Sequence, residues 1–238
     1  MKFSIGVRDW LALAPGLDSQ TEWQSWAEAS RPIDPAGALR KCQFLPMMMA
    51  RRLSAGSRIA VDVGLELMQR HAVDALVFSS RHGELEKNYR ILETLHQQQE
   101  QSPTVFAMSV HNAAVGTLTI TADAELTSTA ISAGIDSFQQ ALIESYLLLA
   151  DGHQQVLLVD YDSSIPDFYL NHLPDDLPCY PYAVGLVLEV GNELSCESAQ
   201  AESRQHSDTP QSLAFLRNWL QGCKTFTLDG EQNRWQWT

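Results

Sequence analysis

The spacing of apolar and polar residues changes several times along the chain, and each change marks an element. Lys2 to Val7 alternate and predict a strand, while DWLALA and QTEWQSWAEA, separated by Pro15 and Gly16, read as short helical pieces. RPIDPAGALRKCQFLP is broken by Pro32, Pro35 and Pro46 and reads as a covering loop. Between Met47 and Arg70 apolar residues recur every three or four positions, which predicts one long helix. DALVFSS, Asp74 to Ser80, is a continuous apolar run and predicts a buried strand. A helix comes next with Tyr89, Leu92 and Leu95 on one face, ending before Pro103. VFAMSVHNAAVGTLTITADA predicts another helix, whose small residues Ala113, Ala114 and Gly116 would let a second backbone approach closely.

The remaining pattern is strand ELTSTA, helix SFQQALIESYLLLADG, strand QQVLLVDYD, a proline-rich loop from Ile165 to Pro181, and strand YAVGLVLEVG, Tyr182 to Gly191. Strands alternating with helices predict an α/β fold with a mainly parallel sheet and helices on both faces. Residues 1–191 form that domain in this reading, and the polar stretch 192–210 is a linker. Residues 211–238 add an amphipathic helix, with Leu213, Leu216, Trp219 and Leu220 on one side, and a hairpin turning at Asp229 and Gly230.

Composition narrows the partners. A chain of 238 residues that is 45% hydrophobic can bury a large core as one globular unit. A net charge of −13 argues against nucleic acid or an anionic membrane as a main partner, because both need a basic surface. Arg8 and Asp9 interrupt the N-terminal apolar run before signal-peptide length, and no segment reaches the ~20 apolar residues of a membrane span, so a cytoplasmic protein is expected. Cys42, Cys179, Cys196 and Cys223 are too scattered for a zinc set, and Met47 to Met49 read as helix core or subunit surface; neither a metal nor a cofactor is expected.

The candidate chemistry lies at ELTSTAISAGIDSFQQAL, Glu125 to Leu142, a strand turning sharply into a helix. In many α/β enzymes such a turn presents a nucleophile, but here Ile131 sits at the bend. Its neighbour Ser132 has no evident base and no GxSxG elbow, so a helix N-cap or N1 role is expected for it. His82 and Glu84, in SRHGEL, could form a base and carboxylate pair after a strand, although a hydrogen-bonded structural role is the simpler reading.

Three stretches in order, SSRHGELEKNYRIL, FAMSVHNAAVGTLTI and TSTAISAGIDSFQQAL, resemble the N-terminal half of β-ketoacyl synthases, the condensing enzymes of the thiolase-like superfamily. The resemblance covers about Met1 to Gly191 and is nearest to the ketosynthase-like chain-length factors of bacterial aryl polyene and related clusters. It implies half of a thiolase-like fold in which the nucleophilic cysteine is replaced by Ile131. It also implies that the two catalytic histidines, which the family carries in a second half, are missing from a chain ending at Thr238; His153, His172 and His206 lack their glycine-rich surroundings.

The same resemblance implies a non-catalytic subunit that pairs with a full-length ketosynthase and shapes its acyl tunnel, leaving the acyl carrier protein to the partner. Phe106, Met108 and Val110 would form the chain-length gate, and His82, Glu84, His111, Asn112 and Gly116 would belong to the subunit interface. Trp219, Trp235 and Trp237 would cover the sheet face that a second half would otherwise occupy. The rival readings are a divergent acyltransferase or hydrolase using Ser132 or Cys179, and a homodimeric acyl-binding scaffold.

Overall fold

The computed structural model describes residues 1–173, 178–201 and 209–238. Its strands are β1 (Lys2–Leu13), β2 (Ala75–Ser79), β3 (Thr127–Ile131), β4 (Val156–Asp162), β5 (Tyr182–Gln200), β6 (Phe226–Asp229) and β7 (Asn233–Trp237). The helices are α1 (Gln20–Ala29), α2 (Met47–Ala50), α3 (Ala55–Arg70), α4 (Leu85–His96), α5 (Pro103–Ala107), α6 (Ala113–Ala122), α7 (Ser137–Ala150), α8 (Asp167–Leu170) and α9 (Gln211–Leu220).

All seven strands join one sheet in the order β3-β2-β4-β5-β7-β6, with β1 also on β5. β3, β2 and β4 run parallel, whereas β4 meets β5, and β5 meets both β1 and β7, antiparallel. The sheet is therefore mixed, and the parallel pattern expected from strand and helix alternation holds for its first three strands only. Alternation along each strand separates two cores. Val77, Val156 and Leu158 point towards α1, α7 and α9. Leu76, Phe78, Leu157 and Val159 point towards α3 and α6.

Four segments differ from the sequence reading. DWLALA is strand, not helix: Trp10, Leu11, Ala12 and Leu13 pair with Leu186, Gly185, Val184 and Ala183, and burial of both strand faces hides the alternation. The expected helix from Met47 to Arg70 is two helices, because Ser54 turns extended (φ −63°, ψ 167°) and its hydroxyl caps the Ser57 N–H. The expected helix through VFAMSVHNAAVG is interrupted between Ala107 and Ala113, where the Ser109 hydroxyl donates to the Phe106 carbonyl at 2.8 Å. The polar stretch 192–200 is not a linker but the far end of β5, buried at Leu194 and Cys196 and polar on its outward side. The rest of that stretch, His206 included, falls mostly outside the described residues.

The C-terminal helix and hairpin form where the pattern placed them, but the hairpin turns at 230–232, one residue later than expected, because Asp229 pairs with Arg234. The hairpin does more than cover a face: β7 pairs with Cys196–Gln200 and prolongs the sheet, while Trp235 and Trp237 turn into the core. Phe215 of α9 meets Trp237 edge-on, with ring centroids 5.0 Å apart, a geometry that adds about 1 kcal/mol to the burial itself.

α3 enters this frame at Gly56, whose N–H donates to the Ser163 hydroxyl at 2.8 Å. A β-carbon there would stand 2.3 Å from the Asp162 carbonyl oxygen, and a backbone atom at a strand end cannot give way. Gly56→Ala should lower the urea-unfolding free energy by about 1–3 kcal/mol, the usual cost of overpacking a dense core; an unchanged midpoint would mean that α3 can slide away from β4.

Candidate functional site: the strand–helix bend and the uncovered ledge

Ile131 ends β3 opposite Ser79 of β2, half-buried against the core shared with α7. Its carbonyl accepts from the Ser80 N–H at 3.2 Å and from His111 Nε2 at 2.8 Å, so the His111 ring carries its proton on Nε2. A β-carbon on Gly83, where φ is +55°, would fall 2.6 Å from His111 Nδ1. The SRHGE turn and the SVHN turn therefore lock against the bend through one histidine and one glycine.

The carboxylate of Asp162 shapes that first turn. Its Oδ1 accepts from the Ser80 hydroxyl at 2.6 Å and the His82 N–H at 2.9 Å. Burial lowers the pKa of His82, against the opposing pull of Asp162. Glu84 does not reach His82 as a dyad would. It is buried at the start of α3, accepting from the Ser57 hydroxyl and, at 3.3 Å, from the Ser54 hydroxyl, and burial raises its pKa. Glu84 and the His82 backbone N–H thus take part in the hydrogen bonds that hold this turn.

After the bend, Ser132 is exposed and its hydroxyl donates to the Arg81 carbonyl at 3.4 Å. It caps no helix, contrary to expectation: Gly134 (φ +59°) opens a 3₁₀ turn, Gly134–Asp136, and α7 begins only at Ser137. Asp136 occupies the N-terminal end of α7, accepting from Trp235 Nε1 at 2.8 Å, Gln211 Nε2 at 3.1 Å and the Glu231 N–H at 3.0 Å. Gly230 is packed so closely there that a β-carbon would stand 1.9 Å from the carboxylate. The hairpin turn and α9 thus seal the helix end with a negative charge. Sequence reading missed Asp136; the signal was an acidic residue just before an apolar helix.

Between the bend and α9 lies a cavity of about 40 Å³, room for a few waters, lined by His82, Asp160, Tyr182 and Gln211 among others. Asp160 is fully buried and accepts from the Ser79 hydroxyl at 2.6 Å and the Ser212 hydroxyl at 2.5 Å, tying β2, β4 and α9 together. Burial pushes its pKa to about 7, against the lowering effect of those hydroxyls. Cys179, the other nucleophile considered, has its thiol pKa raised by burial, the opposite of activation. Among the described residues no group of three or more His, Cys, Asp and Glu side chains is placed to hold a metal ion.

Of the gate and interface candidates, Phe106, Val110 and Asn112 are exposed, whereas Glu84 is buried. Phe106 is 65% exposed and Val110 44%, while Met108 is half-buried against the α3 core. Leu92 and Leu95 of α4, 57% and 56% exposed, lie on a helix with no buried residue that packs beside α5. The Tyr89 ring continues the surface to Phe168 of α8, with centroids 5.4 Å apart. On α6, Asn112, Gly116 and Ile120 recur every four residues along an outward face, and a β-carbon on Gly116 would meet nothing within the chain. Ala113 and Ala114 are buried on the inward side of α6, and Gly64 of α3 admits the Leu118 side chain, which a β-carbon there would approach to 2.3 Å.

This arrangement has relatives. Residues 23–238 match the family model for the beta-ketoacyl synthase N-terminal domain. The chain belongs to the beta-ketoacyl synthase family. Among ketosynthase structures it resembles a chain from the complex of the ketosynthase ApeO with its chain length factor ApeC of Xenorhabdus doucetiae, at 51% identity over 99% of both chains and a TM-score of 0.95. The ishigamide ketosynthase/chain length factor shares the fold at 13% identity (TM-score 0.64, 83% of this chain and 68% of that one). So does a ketosynthase in the AntDE:AntF complex with its acyl-carrier protein, at 15% identity (TM-score 0.62, 84% and 70%). Among curated protein sequences none matches. Among the described residues no helix of this ketosynthase relative is long and apolar enough to cross a membrane.

The buried acid gives the site a pH dependence. Because Asp160 has a folded pKa near 7 against an ordinary 3.8, the folded state holds its proton more tightly than the unfolded state. Stability from this group is complete below about 4 and is lost as pH rises towards 7. Relative to Asp160→Asn, the native protein should therefore lose stability between those values in urea titrations; a constant difference across the range would show that Asp160 stays ionised.

Proposed function

We propose that this chain is a non-catalytic chain-length factor that pairs with a full-length β-ketoacyl synthase and shapes the partner's acyl tunnel, in aryl polyene or related polyketide and fatty-acid-like synthesis. The observation that carries the reading is the uncovered ledge. Among the described residues β3 has a hydrogen-bonded neighbour on one edge only, and beside it lie the outward face of α6 and the apolar surface of α4, α5 and α8. A chain that leaves such a surface open to water has a partner for it. The 51% likeness to a chain from the ApeO and ApeC complex supports a ketosynthase as that partner.

The bend supports the non-catalytic part. A condensing enzyme needs a thiol there, activated by the positive end of a helix. In this chain the bend carries isoleucine, and the residue just before the helix is Asp136, whose charge would oppose a thiolate. The partner then supplies nucleophile, histidines and the main carrier-protein dock, and this subunit supplies a wall. Phe106, Met108 and Val110 are the proposed wall residues, and His82, Glu84, His111, Asn112 and Gly116 shape the interface: Asn112 and Gly116 by contact, the others by holding the turns behind it.

Co-expression with the ketosynthase should give a 1:1 complex by size-exclusion chromatography with light scattering, and Ile120→Asp should weaken it at least tenfold by burying a charge. Failure to form the complex removes the proposal. Within a stable complex, Phe106→Ala or Met108→Ala should lengthen or broaden the product distribution read by mass spectrometry without stopping turnover; unchanged products would take these residues out of the gate. Ile131→Cys in the isolated chain should show no condensation and no acyl loading.

A further inference from the structure

From Pro35 to Val61 the chain contains Arg40, Lys41, Arg51, Arg52 and Arg58 and not one Asp or Glu, although the whole chain carries a charge of −13. Four of these cations, Arg40, Lys41, Arg51 and Arg58, line a single open pocket of about 450 Å³ between the covering loop, α2 and the start of α3. Leu45 and Ala50 supply part of its apolar lining. The volume lies in the range of small-molecule sites.

The four cations are not equivalent. Arg40 is neutralised from within, its guanidinium 3.1 Å from Asp62 and 2.7 Å from Glu66 of α3. Asp62 in turn accepts the N–H groups of Gln43, Phe44 and Leu45, so this ion cluster fixes the loop that forms one wall. Among the described residues no carboxylate lies within ion-pair distance of Lys41, Arg51 or Arg58. Three positive charges with no carboxylate in ion-pair reach among the described residues therefore surround a framed concavity in an otherwise acidic protein, and their mutual repulsion is relieved by an anion placed among them. A single carboxylate would balance one of the three. A phosphoryl group carries up to two charges, and two guanidinium forks match its tetrahedral oxygens.

We infer that this pocket binds an organic phosphate, with its phosphoryl oxygens on Lys41, Arg51 and Arg58 and its carbon body against Leu45 and Ala50. The inference is independent of the pairing proposed above. Isothermal titration calorimetry of the full chain with inorganic pyrophosphate should show saturable 1:1 binding that weakens steeply with added salt. Arg51→Ala and Arg58→Ala should each reduce affinity about tenfold or more, whereas Arg90→Ala, on α4 outside the pocket, should leave it unchanged. Citrate, of comparable charge but built from carboxylates, should bind more weakly. No saturable binding, equal loss in the Arg90 variant, or equal affinity for citrate would each overturn the inference. So would binding that disappears in the complex with the ketosynthase, because the cations would then belong to the subunit interface.

Discussion

The fold depends on β5 being paired on both edges. Its first half lies between β4 and β1, and its second half between β7 and the start of β1. Neither β4 nor the hairpin is long enough to protect it alone, so the early and the last residues of the chain are both drawn to it; Met1 and Thr238 each meet Ser198 or Ser195 there. Every backbone N–H and C=O in a buried strand needs a partner, and β5 obtains its partners from both ends of the chain, β1 and β7. That is why the C-terminal hairpin belongs to the sheet and does not simply pack on it.

Buried carboxylates do the finer positioning. Asp162 organises the turn after β2, Asp160 joins β2 and β4 to α9, Asp136 joins α7 to the hairpin, and Asp62 holds the covering loop on α3. Each sits in low dielectric surroundings where an unpartnered carboxylate would be costly, and each is stabilised by converging hydroxyl or N–H donors. The result is a stiff bend carrying isoleucine, beside an outward ledge. In the proposed role as a tunnel wall that stiffness would matter, since a close-packed wall moves little when an acyl chain presses on it.

Much of the element order was legible from the chain. Apolar runs, helical periodicity and a glycine turn near Gly230 located β2, α7, β4, α9 and the hairpin, and the SVHNAAVG and TSTAISAG stretches located the bend. The failures share a cause. DWLALA reads as helix because a strand buried on both faces loses its alternation, and residues 192–200 read as linker because a strand with one wet face is polar at alternate positions. The Ser54 cap was hidden inside an apolar pattern that runs on either side of it.

The sequence by itself determined which residue stands at the bend, the charge segregation along the chain and the helices that carry an apolar stripe, because these are properties of composition and spacing. Only the tertiary structure decided that Glu84 faces Ser54 and Ser57 and not His82, that Gly64 makes room for Leu118, and that Asp136 closes the helix end. Those outcomes depend on which long-range pairings bring side chains together, and pairing is fixed by the sum of all backbone and core contacts, not by any local stretch.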